Sequence, residues 1–173
     1  MGLRSDVFNL RGLRLGSGEG RHLTLDADLG AFELGGERYQ VTPELVPVRL
    51  DVSRTTGDGY ALRARFTAAL RGPCMRCLQS AAPDFEVDAR EVSQPDGGDE
   101  LESPYVDEGE LDLRSWARDA LALALPAQIL CRPDCAGLCA VCGIELSQAG
   151  PEHRHERPPD PRWSKLSELK LDG

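Results

Sequence analysis

Eight side chains of the kind that hold metals arrive as four short pairs: Cys74-x2-Cys77, Cys131-x3-Cys135, Cys139-x2-Cys142 and His153-x-His155. A fold for this chain must either bring such pairs together or leave them as isolated thiols and imidazoles. Zinc takes four tetrahedral ligands from thiolate and imidazole, usually delivered as two short-range pairs. A Cys-x-x-Cys turn suits this because it aims both sulfurs at one point while backbone amides remain free to donate to them. Cys139-Ala-Val-Cys-Gly143 is the strongest such turn, since Gly143 supplies the permissive backbone that closes it. One pairing gives two zinc sites, Cys74 and Cys77 with Cys131 and Cys135, and Cys139 and Cys142 with His153 and His155. A rival gives one all-cysteine site from Cys131, Cys135, Cys139 and Cys142, and leaves Cys74 and Cys77 unused. Plainer readings also stand, ordinary thiols at Cys74 and Cys77 and solvated imidazoles at His153 and His155. His22, on the polar side of a strand, reads as a surface residue.

All six cysteines fall in these pairs, and their close spacing suits a shared metal better than disulfides. The opening Met1-Gly-Leu-Arg-Ser-Asp6 has no apolar signal core, Asp6 stands where myristoylation needs Ser or Thr, and no stretch is apolar long enough to span a bilayer. The expectation is a soluble, cytoplasmic chain with reduced thiols and no membrane partner. Its formal net charge of -9 argues against non-specific nucleic-acid binding, which needs a basic surface, yet suits docking on a basic protein. Enzymatic function is not expected, nor a small-molecule substrate. A four-ligand thiolate-rich shell leaves no open coordination position. Phosphate-cradling loops, nucleophile elbows, His-Glu-x-x-His helices and the deaminase zinc signature are all lacking.

The rest of the chain alternates as strands do. Val46, Val48, Leu50 and Val52 fall on one face, and Leu62, Ala64, Phe66, Ala68 and Leu70 repeat this after a Gly57-Asp58-Gly59 turn; Phe85, Val87 and Ala89 follow. Asp112 is placed to cap a helix running to Leu125 and ended by Pro126, with Leu113, Trp116, Ala117, Ala120, Leu121 and Ala124 as its apolar stripe. The predicted fold class is α+β, an antiparallel β-meander covered by one main helix, with a C-terminal Cys/His zinc-binding loop. Residues 1–20 read as a loose lead-in with one short strand at Asp6–Leu10. Residues 21–130 read as the α+β body, 131–156 as the Cys/His module and 157–173 as a tail. Twelve acids and one arginine lie between Asp84 and Asp112, so 94–110 is expected to be a mobile acidic loop. In the tail, Trp163, Leu166, Leu169 and Leu171 suggest a short docking helix.

In order, Gly72-Pro-Cys-Met-Arg-Cys-Leu78, Glu110-Leu-Asp-Leu113, Leu123-Ala-Leu-Pro126, Cys131-Arg-Pro-Asp-Cys-Ala-Gly-Leu-Cys-Ala-Val-Cys-Gly143 and Asp160-Pro-Arg-Trp-Ser-Lys-Leu166 resemble the YceD family, the large ribosomal RNA subunit accumulation proteins. The similarity runs from about Leu45 onward. Two departures stand out: Ala140 replaces the proline that often follows the third cysteine of this run, and His153-x-His155 stands where Cys-x-Cys is common. The resemblance implies a non-enzymatic factor in large ribosomal subunit biogenesis, supporting accumulation or processing of 23S rRNA. It further implies a large-subunit ribosomal protein or a ribosomal precursor as partner. On that reading the acidic loop would face a basic ribosomal protein, and Arg63, Arg65, Arg71 and Arg76 would meet rRNA phosphates. The alternative function is a thiol redox or zinc-handling protein using Cys74-x2-Cys77.

Overall fold

The computed structural model of the protein describes residues 3–4, 6–95, 97–98, 101–155 and 162. The expected docking helix at 163–171 lies outside the described residues. The chain divides into two compact units, Met1–Cys135 and Ala136–Gly173.

The first unit is built on an eight-stranded sheet. Its strands are β1 (Leu3–Arg4), β3 (Gly20–Ala27), β4 (Ala31–Leu34), β5 (Glu37–Thr42), β6 (Val46–Arg54), β7 (Tyr60–Pro73), β8 (Ser80–Ala81) and β9 (Asp84–Ser93). The long β7 organises it: β6 pairs with its first half, β5 with Ala69–Arg71, β9 with Tyr60–Ala69 and β8 with its end. On the other side of β6 lies β3, antiparallel, with β1 added in parallel. The alternation seen in the sequence is the alternation of burial. Val46, Val48, Leu50 and Val52 are buried, as are Leu62, Ala64, Phe66, Ala68 and Leu70, whereas Pro47 and Arg49 are exposed. Gly35 and Gly36, both at positive φ (62° and 83°), make the two-residue turn between β4 and β5, the conformation that hairpins favour.

The helix α1 (Leu113–Ala124) packs against β9, β3 and β2 (Val7–Asn9). Asp112 caps it, its Oδ1 accepting from the Ser115 amide at 2.9 Å and its Oδ2 from the Ser115 hydroxyl at 2.7 Å. Leu113, Trp116, Ala117, Ala120 and Leu121 are buried, so the helix closes an aliphatic core with the predicted stripe except at its last member, Ala124, which is exposed in the final turn. Leu125 leaves the helix in an extended conformation (ψ 139°), as a residue before proline should.

Two regions are more ordered than the sequence suggests. Val7–Asn9 pairs with β11 (Glu110–Asp112), which pairs in turn with β10 (Val106–Asp107), giving a second, three-stranded sheet. The lead-in is therefore fastened from Asp6 onward, with Leu10 fully buried beneath it. Much of the acidic segment is fastened as well: Leu111 and Ser103 are buried, and the Tyr105 hydroxyl donates to Asp119 Oδ2 at 3.0 Å. A few apolar anchors hold a stretch whose charge alone argued for mobility.

Candidate metal centres

In the first unit, a turn after β7 and the segment after α1 converge. Cys74 donates its amide to Gln79 O at 2.7 Å, and Leu78 N–H returns to Cys74 O at 3.0 Å. This tight ring leaves Leu78 at φ 62°. Met75 N–H donates to Ile129 O at 2.9 Å. The Arg76 guanidinium reaches Gln128 Oε1 at 3.0 Å and Cys135 O at 3.1 Å. The turn is thus bolted to residues 128–135, and the sulfurs of Cys74, Cys77, Cys131 and Cys135 all lie within 4.8 Å of one another. Two of the separations are 3.7 Å (Cys74 to Cys135) and 3.6 Å (Cys77 to Cys131). A tetrahedron with metal–sulfur bonds of about 2.3 Å has edges of about 3.8 Å, so the spacing suits one shared ion and is far too long for disulfides.

The second unit repeats the device. Cys139 N–H donates to Ile144 O at 2.8 Å and Gly143 N–H to Cys139 O at 2.9 Å, with Gly143 at φ 72°. The ring of hydrogen bonds matches that of Cys74 to Gln79, with Gly143 in the place of Leu78. Ligand atoms of Cys139, Cys142, His153 and His155 lie within 4.8 Å of one another. Cys142 Sγ stands 3.7 Å from His153 Nε2, and the two Nε2 atoms are 3.2 Å apart. Bonds of about 2.3 Å to sulfur and about 2.05 Å to nitrogen give tetrahedral edges near 3.6 and 3.3 Å.

Burial pushes the Cys74 thiol up, but the amides of Cys77, Arg76 and Cys131 donate to its sulfur and bring it down to about 6. Burial and then the thiols of Cys77, Cys135 and Cys74 push Cys131 up to about 12. The pocket favours one thiolate and resists the next, because like charges crowd within it. A cation bound there would let all four ionise. In the second cluster the His153 imidazole, followed by the amides of Cys142 and Val141, pulls the Cys139 thiol down to about 6. Both donor sets fit a metal ion, and four protein ligands at tetrahedral spacing fill its shell.

The structure brings all eight sequence-predicted ligands together as two groups of four and joins Cys131 and Cys135 to Cys74 and Cys77. His22 stays at the surface, its Nδ1 2.6 Å from Asp51 Oδ1. Two of the strand-face arginines are committed within the sheet, whereas Arg71 is exposed. Arg63 grips Asp88 with two bonds, Nε–Oδ1 at 2.7 Å and Nη2–Oδ2 at 2.5 Å, and Arg65 Nη2 reaches Asp51 Oδ2 at 2.5 Å. Arg76 serves the turn that carries its own cysteines. Sequence reasoning passed over Leu78 and Gln128; aligning the two turns residue by residue would have exposed Leu78 as the counterpart of Gly143. The Gln128 contact leaves no trace in the local sequence.

Fold and clusters together define a small α+β protein carrying two four-residue Cys/His clusters that could each hold a metal ion. Residues 62–170, more than half of the chain, match the family described as large ribosomal RNA subunit accumulation protein YceD, and the chain belongs to that family. It is 36% identical over 121 residues to uncharacterized proteins of Mycobacterium tuberculosis and Mycobacterium bovis, an alignment covering 66% of this chain and 58% of each relative. An uncharacterized protein of Mycobacterium leprae is 30% identical over 130 residues, covering 71% of this chain and 59% of that protein. The chain thus spans about three fifths of the length of the curated relatives it matches. No solved structure matches it significantly. Among the described residues no helix is long and apolar enough to cross a membrane.

Proposed function

We propose that the chain is a cytoplasmic, non-enzymatic factor in large ribosomal subunit biogenesis that supports 23S rRNA accumulation or processing. In this reading two zinc ions stabilise its fold, one held by Cys74, Cys77, Cys131 and Cys135, the other by Cys139, Cys142, His153 and His155. The observation that carries the metal assignment is the pair of four-ligand clusters at tetrahedral spacing. Zinc suits such thiolate and imidazole sets and, with its shell closed, acts as a structural ion. Family membership carries the ribosomal assignment. The partner is a large-subunit ribosomal protein or a ribosomal precursor. A protein contact is favoured over a direct rRNA contact through the sheet arginines, because Arg63 and Arg65 are already paired with Asp88 and Asp51.

Burial favours a structural role for the first centre over thiol redox or zinc-handling chemistry: Cys74 is 0% and Cys77 1% exposed, whereas reactive cysteines need access. The test measures zinc in purified protein, in Cys74→Ser and in Cys139→Ser, and large-subunit rRNA in cells lacking the protein. Two equivalents of zinc, falling to one in each variant, together with reduced 23S rRNA, support the reading. Stoichiometry unaffected by Cys74→Ser refutes the first centre; unchanged 23S rRNA refutes the ribosomal role.

A further inference from the structure

The two clusters sit in surroundings of opposite kind. Cys74, Cys77 and Cys135 are all but inaccessible, and the segments that carry them are fastened to a sheet and a helix with an aliphatic core. The second unit has no such core. Among its described residues Gly137 alone is buried, while Val141, Ile144 and Leu146 are 67%, 42% and 38% exposed. Its backbone hydrogen bonds are local: besides the ring at Cys139, Leu146 N–H donates to Gly137 O at 2.9 Å and His153 N–H to Gly150 O at 3.3 Å. None of its cysteines is in a disulfide.

Ordering a chain costs conformational entropy at every residue. A segment this short cannot offset that with buried apolar surface, and small units without a core need a disulfide or a metal to fold. With neither core nor disulfide, what remains to hold residues 136–155 is the group of Cys139, Cys142, His153 and His155, whose ligand atoms lie within 4.8 Å of one another. In such a unit the free energy of metal binding is the free energy of folding. The group is also open on one side, since Cys142 and His155 are exposed and Cys139 and His153 half-buried. A competing chelator can approach an ion there without any opening of the sheet.

We infer that the second unit is a zinc-responsive element: residues 136–155 fold when Cys139, Cys142, His153 and His155 take up zinc, and unfold when a competing chelator withdraws it. The first unit keeps its fold and its own ion throughout, because Cys74 and Cys77 are buried and their turn is bonded to Gln128, Ile129 and Cys135. Withdrawal needs no oxidant or reductant; the chelator takes the ion and the two thiols regain protons from solvent. The inference rests on the two-zinc reading and deepens it, giving the centres different tasks, one fixed and one responsive to zinc supply.

The test uses the full chain loaded with zinc, its two equivalents first confirmed by elemental analysis. The chromogenic chelator pyridylazoresorcinol is mixed in and release followed by absorbance, with proton–nitrogen correlation spectra recorded after each phase. The expected result is two phases of equal amplitude, the fast one quicker by about tenfold or more because local opening is easier than opening of a core. After the fast phase the amide signals of Cys139, Gly143 and Leu146 collapse to random-coil positions, those of β6, β7 and β9 stay, and added zinc restores the first set. Cys139→Ser, which leaves the first unit's ligands in place, should lose the fast phase and keep the slow one. Fewer than two equivalents in the loaded protein refutes the two-zinc reading and the inference with it. With two equivalents present, release in a single phase, a fast phase surviving in Cys139→Ser, or folded signals at 136–155 after the fast phase overturns the inference alone.

Discussion

Replacing Gly72 by alanine should distort the first cysteine cluster without touching any of its four thiols. A Cβ on Gly72 would fall 2.4 Å from Tyr39 Cδ1, 2.7 Å from Cε1 and 3.0 Å from Cγ, closer than carbon atoms can approach. The ring cannot simply swing away. Tyr39 is fully buried, and its hydroxyl donates to Pro73 O at 2.8 Å, one residue before Cys74. Overpacking of this kind costs about 1–3 kcal/mol, and losing the buried hydrogen bond adds about 1 kcal/mol. The sum, about 2–4 kcal/mol, corresponds to a fall in Tm of roughly 5–15 °C for a chain of this length. With zinc bound as proposed, the displaced turn should also release its ion earlier during a chelator titration. Thermal unfolding followed by circular dichroism at fixed zinc, with zinc release recorded in parallel, provides the assay. The double variant with Tyr39→Leu supplies the internal check, since a smaller side chain at position 39 makes room for the methyl group and the two substitutions should couple strongly. A Tm within about 1 °C of wild type, or an equal loss in the Tyr39→Leu background, would refute the steric argument.

Leu78→Gly should stabilise the first unit by about 0.5–1 kcal/mol, because a left-handed leucine costs about 1–2 kcal/mol and glycine forfeits part of that in entropy; denaturant midpoints decide it. Asp112→Ala removes the helix cap and should cost about 1 kcal/mol, read as a Tm lower by roughly 2–4 °C. Burial raises the Asp51 carboxyl, but hydrogen bonds from His22 and Arg65 and their charges outweigh this and hold it below its ordinary 3.8. Its contribution is therefore present in full above that pH and is lost as pH falls through the lower folded value. Asp51→Asn should be less stable than wild type at pH 7, and the Tm gap should close below pH 3.8; a gap independent of pH would contradict it.

Strands β6, β7 and β9 were legible because they carry four, five and three apolar residues at period two, enough to fix which face is buried. The α1 cap and its stop at Pro126 were legible because capping and proline act locally. The ligand set could be read from spacing, since a tight turn needs nothing from the rest of the chain. What escaped were pairings between distant short segments. Val7–Asn9 and Glu110–Asp112 are three residues each, lack alternation, and owe their register to each other. Nor can the commitment of Arg63 to Asp88 be inferred from either strand alone, because it depends on the register between β7 and β9.

The two centres close loops of very different size. In the first, the close sulfur pairs join residues 61 and 54 positions apart; in the second, Cys142 and His153 are separated by 11. The entropy of loop closure favours the shorter loop by about 1.5 kcal/mol. The second cluster can assemble from local chain alone, whereas the first needs β7 and α1 already in place. During synthesis, residue 135 must also emerge before the first set of ligands is complete. An ion captured at Cys74, Cys77, Cys131 and Cys135 would thus report that the body of the protein has folded, and capture at the second cluster would carry no such information.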